Sequence, residues 1–156
     1  MSKSLKRIQA NLTDAGVAFE IMEMVGETRT ATDAAREAGC EIDQIAKSII
    51  FRGEASGQTV LFVTAGGNQV DPAKASQLAG EALGRANASF VREMTGFAIG
   101  GVAPIAHKVA TLAFFDPRLL EFDTVYAAAG TPRHIFSIDP KTLAQLAAAN
   151  TSVFTG

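Results

Sequence analysis

The amino-acid sequence predicts an α+β domain: a curved, mostly antiparallel or mixed β-sheet with its helices on the outside. Three observations carry this expectation. Helical periodicity occurs at the beginning, in the middle and at the end of the chain, while β-rich runs come in sequential groups. The connections between those runs are short, which favours antiparallel neighbours over βαβ crossovers. The 156 residues are 47% apolar and 19% charged, a globular balance at a length that fits one domain over 1–156. A chain of this size buries roughly 70% of its unfolded surface and needs neither disulfide nor metal to fold.

Each element has a local reason. Leu5, Ile8, Leu12 and Ala15 recur at helical spacing, with Lys6, Arg7 and Asp14 largely off that stripe, so residues 3–15 read as a helix that Gly16 closes. VAFEIME (17–23) alternates, with Val17, Phe19 and Ile21 on one face of a half-buried strand. Thr30 or Thr32 caps a short helix that runs through Ala38 and stops at Gly39; Ile42 and Ile45 suggest one more helical turn. AKSIIFR (46–52) and TVLFVTA (59–65) flank the polar turn GEASGQ, the clearest hairpin in the chain. After the turn GGN, Asp71-Pro72 supplies an N-cap and a first-turn proline for a helix running toward Gly80. ASFV (88–91) is a short strand candidate, followed by a Gly-rich stretch between strands. TLAFFD, TVYAAA and HIFSI read as three late strands, and Asp139-Pro140 starts a last helix.

Composition excludes several function classes. The net charge is −2, whereas proteins held on nucleic acid by phosphate neutralisation usually carry a basic excess, so general DNA binding is disfavoured. No apolar run approaches the ~20 residues of a bilayer span, and MSKSLKRIQANL lacks the apolar core of a signal peptide; the chain reads as cytoplasmic and free of membrane contact. Cys40, the single cysteine, rules out an internal disulfide and any multi-cysteine zinc site, and reads better as a small apolar filler than as a nucleophile. His107 and His134 stand in no metal-binding pattern, and no GxSxG elbow occurs, so neither metal, cofactor nor obvious nucleophile is expected.

The most informative stretch is TGFAIGGVAPIAH, Thr95 to His107, with three glycines and one proline and no acidic or basic side chain. Gly100 and Gly101 allow positive φ or close backbone approach, and Pro104 holds Ala103 extended. The stretch is either a tight turn or β-bulge between strands, or a row of bare N–H groups aimed at a phosphate or an oxyanion. The glycine spacing fits neither a P-loop nor a dinucleotide fingerprint. Lys47, opening the strand SIIF, is either a solvated strand-edge charge or a cation placed to neutralise an anionic group. His107 ends the loop and is a further ligand-facing candidate; His134, at the start of a strand, reads as structural.

The order AKSIIF, TVLFVTAGGNQVDPAKASQLAG, VREMTGFAIGGVAP, VYAAAG resembles the YbaK family, the freestanding relatives of the editing domain of bacterial prolyl-tRNA synthetase. The resemblance covers roughly residues 3–148. Its most specific parts are Lys47 at its strand start and TGFxxGGVxP preceded by Glu93, with the Asp71-x-x-Lys74 helix between them. It implies a compact α+β fold with a curved, barrel-like mixed sheet. It also implies trans-editing: hydrolysis of the ester of mischarged aminoacyl-tRNA, chiefly tRNA for proline carrying a wrong small amino acid. Lys47 then corresponds to the family's functional lysine, orienting the terminal adenosine or its phosphate or stabilising developing charge. The backbone of Gly100, Gly101 and Val102 holds the aminoacyl end, with Met24, Ala103, Pro104, His107, Ala128 and Ile135 as further substrate contacts. A bound water or a substrate hydroxyl attacks, without metal or covalent nucleophile.

Cysteine-specific members carry a tyrosine, a serine and an aspartate where this chain has Met24, Ala128 and Ile135, and many have GGVSP where it reads GGVAP. The pocket is thereby more apolar, pointing to a small aliphatic or hydroxylated amino acid. A non-catalytic module for a tRNA acceptor end or a synthetase, and a hydrolase or binder of a small ester independent of RNA, are the alternative readings. The acceptor end of aminoacyl-tRNA is the expected partner, with prolyl-tRNA synthetase or an elongation factor assisting weak tRNA binding. Arg29, Lys47, Arg52, Lys74, Lys108 and Arg133 are the candidate basic contacts.

Overall fold

The computed structural model describes residues 2–26 and 30–156. Helix α1 (Lys3–Asp14) is capped by Ser2, whose hydroxyl accepts from the Leu5 N–H at 3.0 Å, and it buries Leu5, Ile8 and Leu12. Strand β1 (Glu20–Glu23) follows, then α2 (Ala31–Ala38), which Thr30 caps and Gly39 ends at φ 72°. A 3-10 turn at Ile42–Gln44 leads into the hairpin of β2 (Ala46–Gly53) and β3 (Thr59–Ala65). Next come α3 (Pro72–Ala79), β4 (Leu83–Arg85), α4 (Ala88–Thr95) and, after a long loop, β5 (Leu112–Phe115). A second 3-10 turn (Pro117–Glu121), β6 (Val125–Thr131), β7 (His134–Ile138), α5 (Pro140–Leu146) and β8 (Asn150–Thr151) complete the order.

The strands form two sheets, β1-β7-β6 and β4-β2-β3-β5-β8. The first is antiparallel throughout. In the second, β4, β2 and β3 are antiparallel, but β3-β5 and β5-β8 are parallel. The parallel pair is possible because 46 residues, Gly66 to Thr111, separate β3 from β5, enough for a crossover. The central strand β3 is buried along its whole length. Leu61 and Val63 face the main core with Phe115, Leu119, Phe136, Leu143 and the apolar stripe of α1. Val60 and Phe62 face the other side, against Ala75 of α3, Phe114 and Phe154.

Three expectations need correction. ASFV is not a strand but the first half of α4. Asn87 accepts from the Phe90 N–H at 2.9 Å, Val91 and Thr95 are buried one turn apart, and Gly96 ends the helix at φ 83°. Capping and an i,i+4 stripe outweigh the β propensity of so short a run. The Gly-rich stretch therefore runs from a helix to a strand, not between two strands. The sheets also do not close into a barrel: among the described residues a single bridge, Ile45 to Tyr126, links them.

Candidate active site

The missing closure creates the site. β4 pairs with β2 only from Phe51 onward, and β6 meets the chain just before β2 only at that bridge. Residues 46–50 of β2 thus line a cavity of about 560 Å³ between the sheets. Ala127 and Ala128 of β6 and Ile135 of β7 form the opposite wall; Ile99, Gly100 and Val102 of the loop and the start of α2 complete it.

Among the described residues Lys47 is the cation on this lining. Its Nζ donates to the Gly66 carbonyl at 3.2 Å. That carbonyl is fixed by a clamped turn. Asp43 accepts from the Gly67 N–H at 2.8 Å and from Arg118 Nε at 2.9 Å. Buried Asp116 accepts from the Ala65 N–H at 3.0 Å, from Asn68 Nδ2 at 2.9 Å and from the Arg118 N–H at 2.9 Å. A side chain at Gly66 would collide with the Ile42 carbonyl, so only glycine fits there. Burial pushes the Lys47 ammonium below the ordinary lysine range, and the charges of Asp116 and Asp43 oppose that shift. The turn thus holds a partly desolvated lysine at the cavity wall.

The loop adds backbone donors to this lining, at Gly100 and Val102. Gly100 sits at φ 94°, a conformation that favours glycine. The Gly101 N–H is spent in a turn to the Ala98 carbonyl at 3.0 Å, and a Cβ at Gly101 would stand 2.8–3.0 Å from the backbone of Thr131. The N–H groups of Gly100 and Val102 have no hydrogen-bond partner among the described residues. Arg7 of α1 braces the loop at both ends. It donates to the carbonyls of Thr95 at 2.8 Å and Ala106 at 3.1 Å, and its guanidinium lies 4.3 Å from the Phe97 ring centroid.

The residues expected at the site divide accordingly. Lys47, Gly100, Val102, Ala128 and Ile135 share the cavity. Gly101 lies behind it on Thr131, and Met24 is buried where its N–H meets the Arg133 carbonyl. The loop then turns its side chains away: Ala103 enters the main core, and Pro104 and His107 line a separate cavity of about 200 Å³. His107 Nε2 donates to the Ala103 carbonyl at 2.6 Å, and burial holds its pKa below the usual value. His134 is structural, 2.7 Å from the Thr131 hydroxyl and 3.7 Å from Glu23. Cys40 packs with Ala34, Ala35 and Ile45, and burial, helped by Glu41, raises its thiol pKa, away from a reactive thiolate.

Of the other described basic candidates none lines the cavity. Arg52 lies over Phe90, Lys74 donates to the Thr155 carbonyl, Arg133 donates to the Val25 carbonyl, and Lys108 packs beside Gly96. Arg29 lies outside the described residues. Sequence reasoning missed Arg7, the clamp around Asp43 and Asp116, and Ser48. The one available signal was an arginine between Leu5 and Ile8, at the border of the apolar stripe. Among the described residues no cluster of three His, Cys, Asp or Glu side chains could hold a metal ion, and no helix is long and apolar enough to cross a membrane.

Comparison with known proteins bears on this geometry. A crystal structure of a candidate trans-editing enzyme for prolyl tRNA synthetase is 41% identical, with a TM-score of 0.92 over 100% of this chain and 99% of that one. A structure from the computational grafting of linear epitopes onto scaffold proteins is 36% identical, with a TM-score of 0.91 over 100% and 99%. The uncharacterized protein YwhH of Bacillus subtilis (strain 168) is 32% identical over 142 residues, 91% of this chain and 90% of YwhH. Residues 25–146 match the model of the aminoacyl-tRNA editing domain. That match takes in Lys47, its clamped turn, the Gly-rich loop and both walls of the cavity, and the chain therefore belongs to the YbaK-like aminoacyl-tRNA editing domain family.

Proposed function

We propose that this chain is an aminoacyl-tRNA deacylase acting in trans, hydrolysing the ester of tRNA for proline that carries a small non-cognate amino acid. The observation that carries the reading is the pairing, on one cavity, of the Lys47 ammonium with the unused N–H groups of Gly100 and Val102. A volume of about 560 Å³ lies in the range of small-ligand sites and is large enough for an amino acid with its ribose. The likeness to a candidate trans-editing enzyme for prolyl tRNA synthetase favours proline tRNA as the carrier.

In this reading the acceptor end enters with its ester carbonyl toward Gly100 and Val102. Water adds to the carbonyl carbon, giving up a proton to solvent, directly or relayed through a neighbouring ribose hydroxyl that passes its own proton on. The carbonyl oxygen becomes an oxyanion that the two backbone N–H groups stabilise, each such donor contributing about 3–4 kcal/mol. The bond to the ribose oxygen then breaks, that oxygen takes a proton, and the free amino acid leaves. Lys47 neutralises the terminal phosphate or the developing charge. Ala128 and Ile135 shape the wall for the amino acid. Gly101 sets the path of the loop, and Ala103, Pro104 and His107 anchor it away from the cavity. Prolyl-tRNA synthetase or an elongation factor delivers the tRNA.

The test is deacylation of proline tRNA charged in turn with alanine, serine, threonine, cysteine and 2-aminobutyrate, with prolyl-tRNA as control. Wild type turns over one or two of the non-cognate esters, and Lys47→Ala loses at least about 100-fold in kcat/KM, the scale of one oriented electrostatic contact. No turnover of any ester by a wild type that still binds tRNA would overturn the deacylase and leave a recognition module.

A further inference from the structure

The side chains on the cavity lining are mostly apolar. Ala46, Ile50, Val102, Ala127 and Ile135 line it together with Ser48, whose Cα stands opposite Val63 of β3. Its neighbours on the same face of β2, Ala46 and Ile50, both pack with the main core. The Ser48 Oγ is buried and has no hydrogen-bond partner among the described residues. Among the described residues two other buried side-chain atoms share that condition, Thr59 Oγ1 and His107 Nδ1, and neither residue lines this cavity. The remaining hydroxyls on the lining are placed differently: Thr30 is committed to the Asp33 N–H, Thr32 is exposed, and Tyr126 packs with the buried cluster beneath α2.

A buried hydroxyl without a partner is costly, and alanine would fill the same face of the strand without that cost. The cost is recovered if the partner arrives with the ligand. A serine oxygen moves on a single torsion, so a small polar group entering between β2 and β6 can meet it as donor or acceptor.

We propose that Ser48 hydrogen-bonds a hydroxyl on the side chain of the substrate amino acid, which makes seryl- and threonyl-tRNA, rather than aliphatic esters, the substrate class of this site. The proposal rests on the deacylase reading above. It also explains how the site could discriminate at all. One methylene in an apolar pocket is worth only about 10–200-fold, whereas a site built to bond a hydroxyl rejects an analogue lacking it far more strongly.

The experiment measures kcat/KM on proline tRNA charged with serine, threonine, alanine or 2-aminobutyrate, for wild type and Ser48→Ala. Wild type prefers the hydroxylated pair by at least about 100-fold. In Ser48→Ala the ratio of seryl to alanyl kcat/KM falls by about 30-fold or more, the size expected for one buried hydrogen bond to the ligand. Thermal melting accompanies the kinetics, and the variant melts no lower than wild type because it removes an unpaired polar atom. Equal wild-type rates on alanine and serine overturn the proposal and leave the deacylase standing. A loss shared equally by all four esters also overturns it, assigning Ser48 to the common amino-ester group. Failure of every ester overturns the deacylase reading and this proposal with it.

Discussion

His107 ends the Gly-rich loop, yet its chemistry is turned inward. Nε2 carries the proton, because its partner is the Ala103 carbonyl at 2.6 Å, and Nδ1 is left buried without a partner among the described residues. Protonating Nδ1 would place a cation in a desolvated spot near Arg7, and both burial and Arg7 lower its pKa, against the favourable bond to Ala103. The sign for stability follows. The unfolded chain takes up a proton near 6.5, the folded chain only at lower pH. Stability from the neutral ring is complete above about 6.5 and is lost as pH falls from there through the folded value. We expect the melting temperature to drop by roughly a few degrees between pH 7.5 and 5.5, and His107→Gln, which keeps an amide donor for Ala103, to flatten that decline. Parallel slopes for the two proteins would show that the ring does not carry the dependence.

At the scale of the element, the loop from Gly96 to Thr111 depends on contacts remote in sequence. Arg7 reaches it across 88 residues at Thr95 and 99 residues at Ala106. Arg7→Ala removes two charge-assisted bonds and the stacking on Phe97, a loss of about 2–4 kcal/mol. The donors at Gly100 and Val102 then lose their bracing, so kcat on the best ester falls about tenfold while Lys47 remains in place. Unchanged kcat in a destabilised variant would show that Arg7 serves the fold alone. This dependence also marks what could be read from the sequence. Asp71-Pro72, Asp139-Pro140 and the β2–β3 hairpin were legible because caps, first-turn prolines and alternation are local signals. So were Lys47 and the glycine pair as points of interest. α4 reads wrongly as a strand when the β-prone Phe90 and Val91 are weighed without the Asn87 cap before them. The direction of each loop side chain was not legible at all. Val102 facing the cavity, Ala103 the core and His107 the far side follow from how Arg7 and Thr131 fix the loop's path.

Over the whole molecule, charge sets how an acceptor end can be held. Fourteen lysines and arginines stand against sixteen aspartates and glutamates. Lys47 alone of the described basic candidates lines the cavity, while Arg52, Lys74 and Arg133 are engaged by a ring or a carbonyl elsewhere. Under the proposed function, few phosphate contacts are therefore expected when tRNA binds. Each contact to a single-stranded end contributes a slope of about −0.7 in log K against log salt, so three or fewer contacts keep the total shallower than about −2. Measured as KM for the preferred ester between 50 and 300 mM salt, roughly the range over which such slopes are read, the dependence should stay within that bound. Adding prolyl-tRNA synthetase should lower KM at every salt concentration if delivery by the synthetase compensates for weak tRNA binding. A slope steeper than about −4 in the isolated protein would instead require six or more phosphate contacts. That result would place a basic tRNA-binding face on this chain itself and remove the reason for a delivering partner.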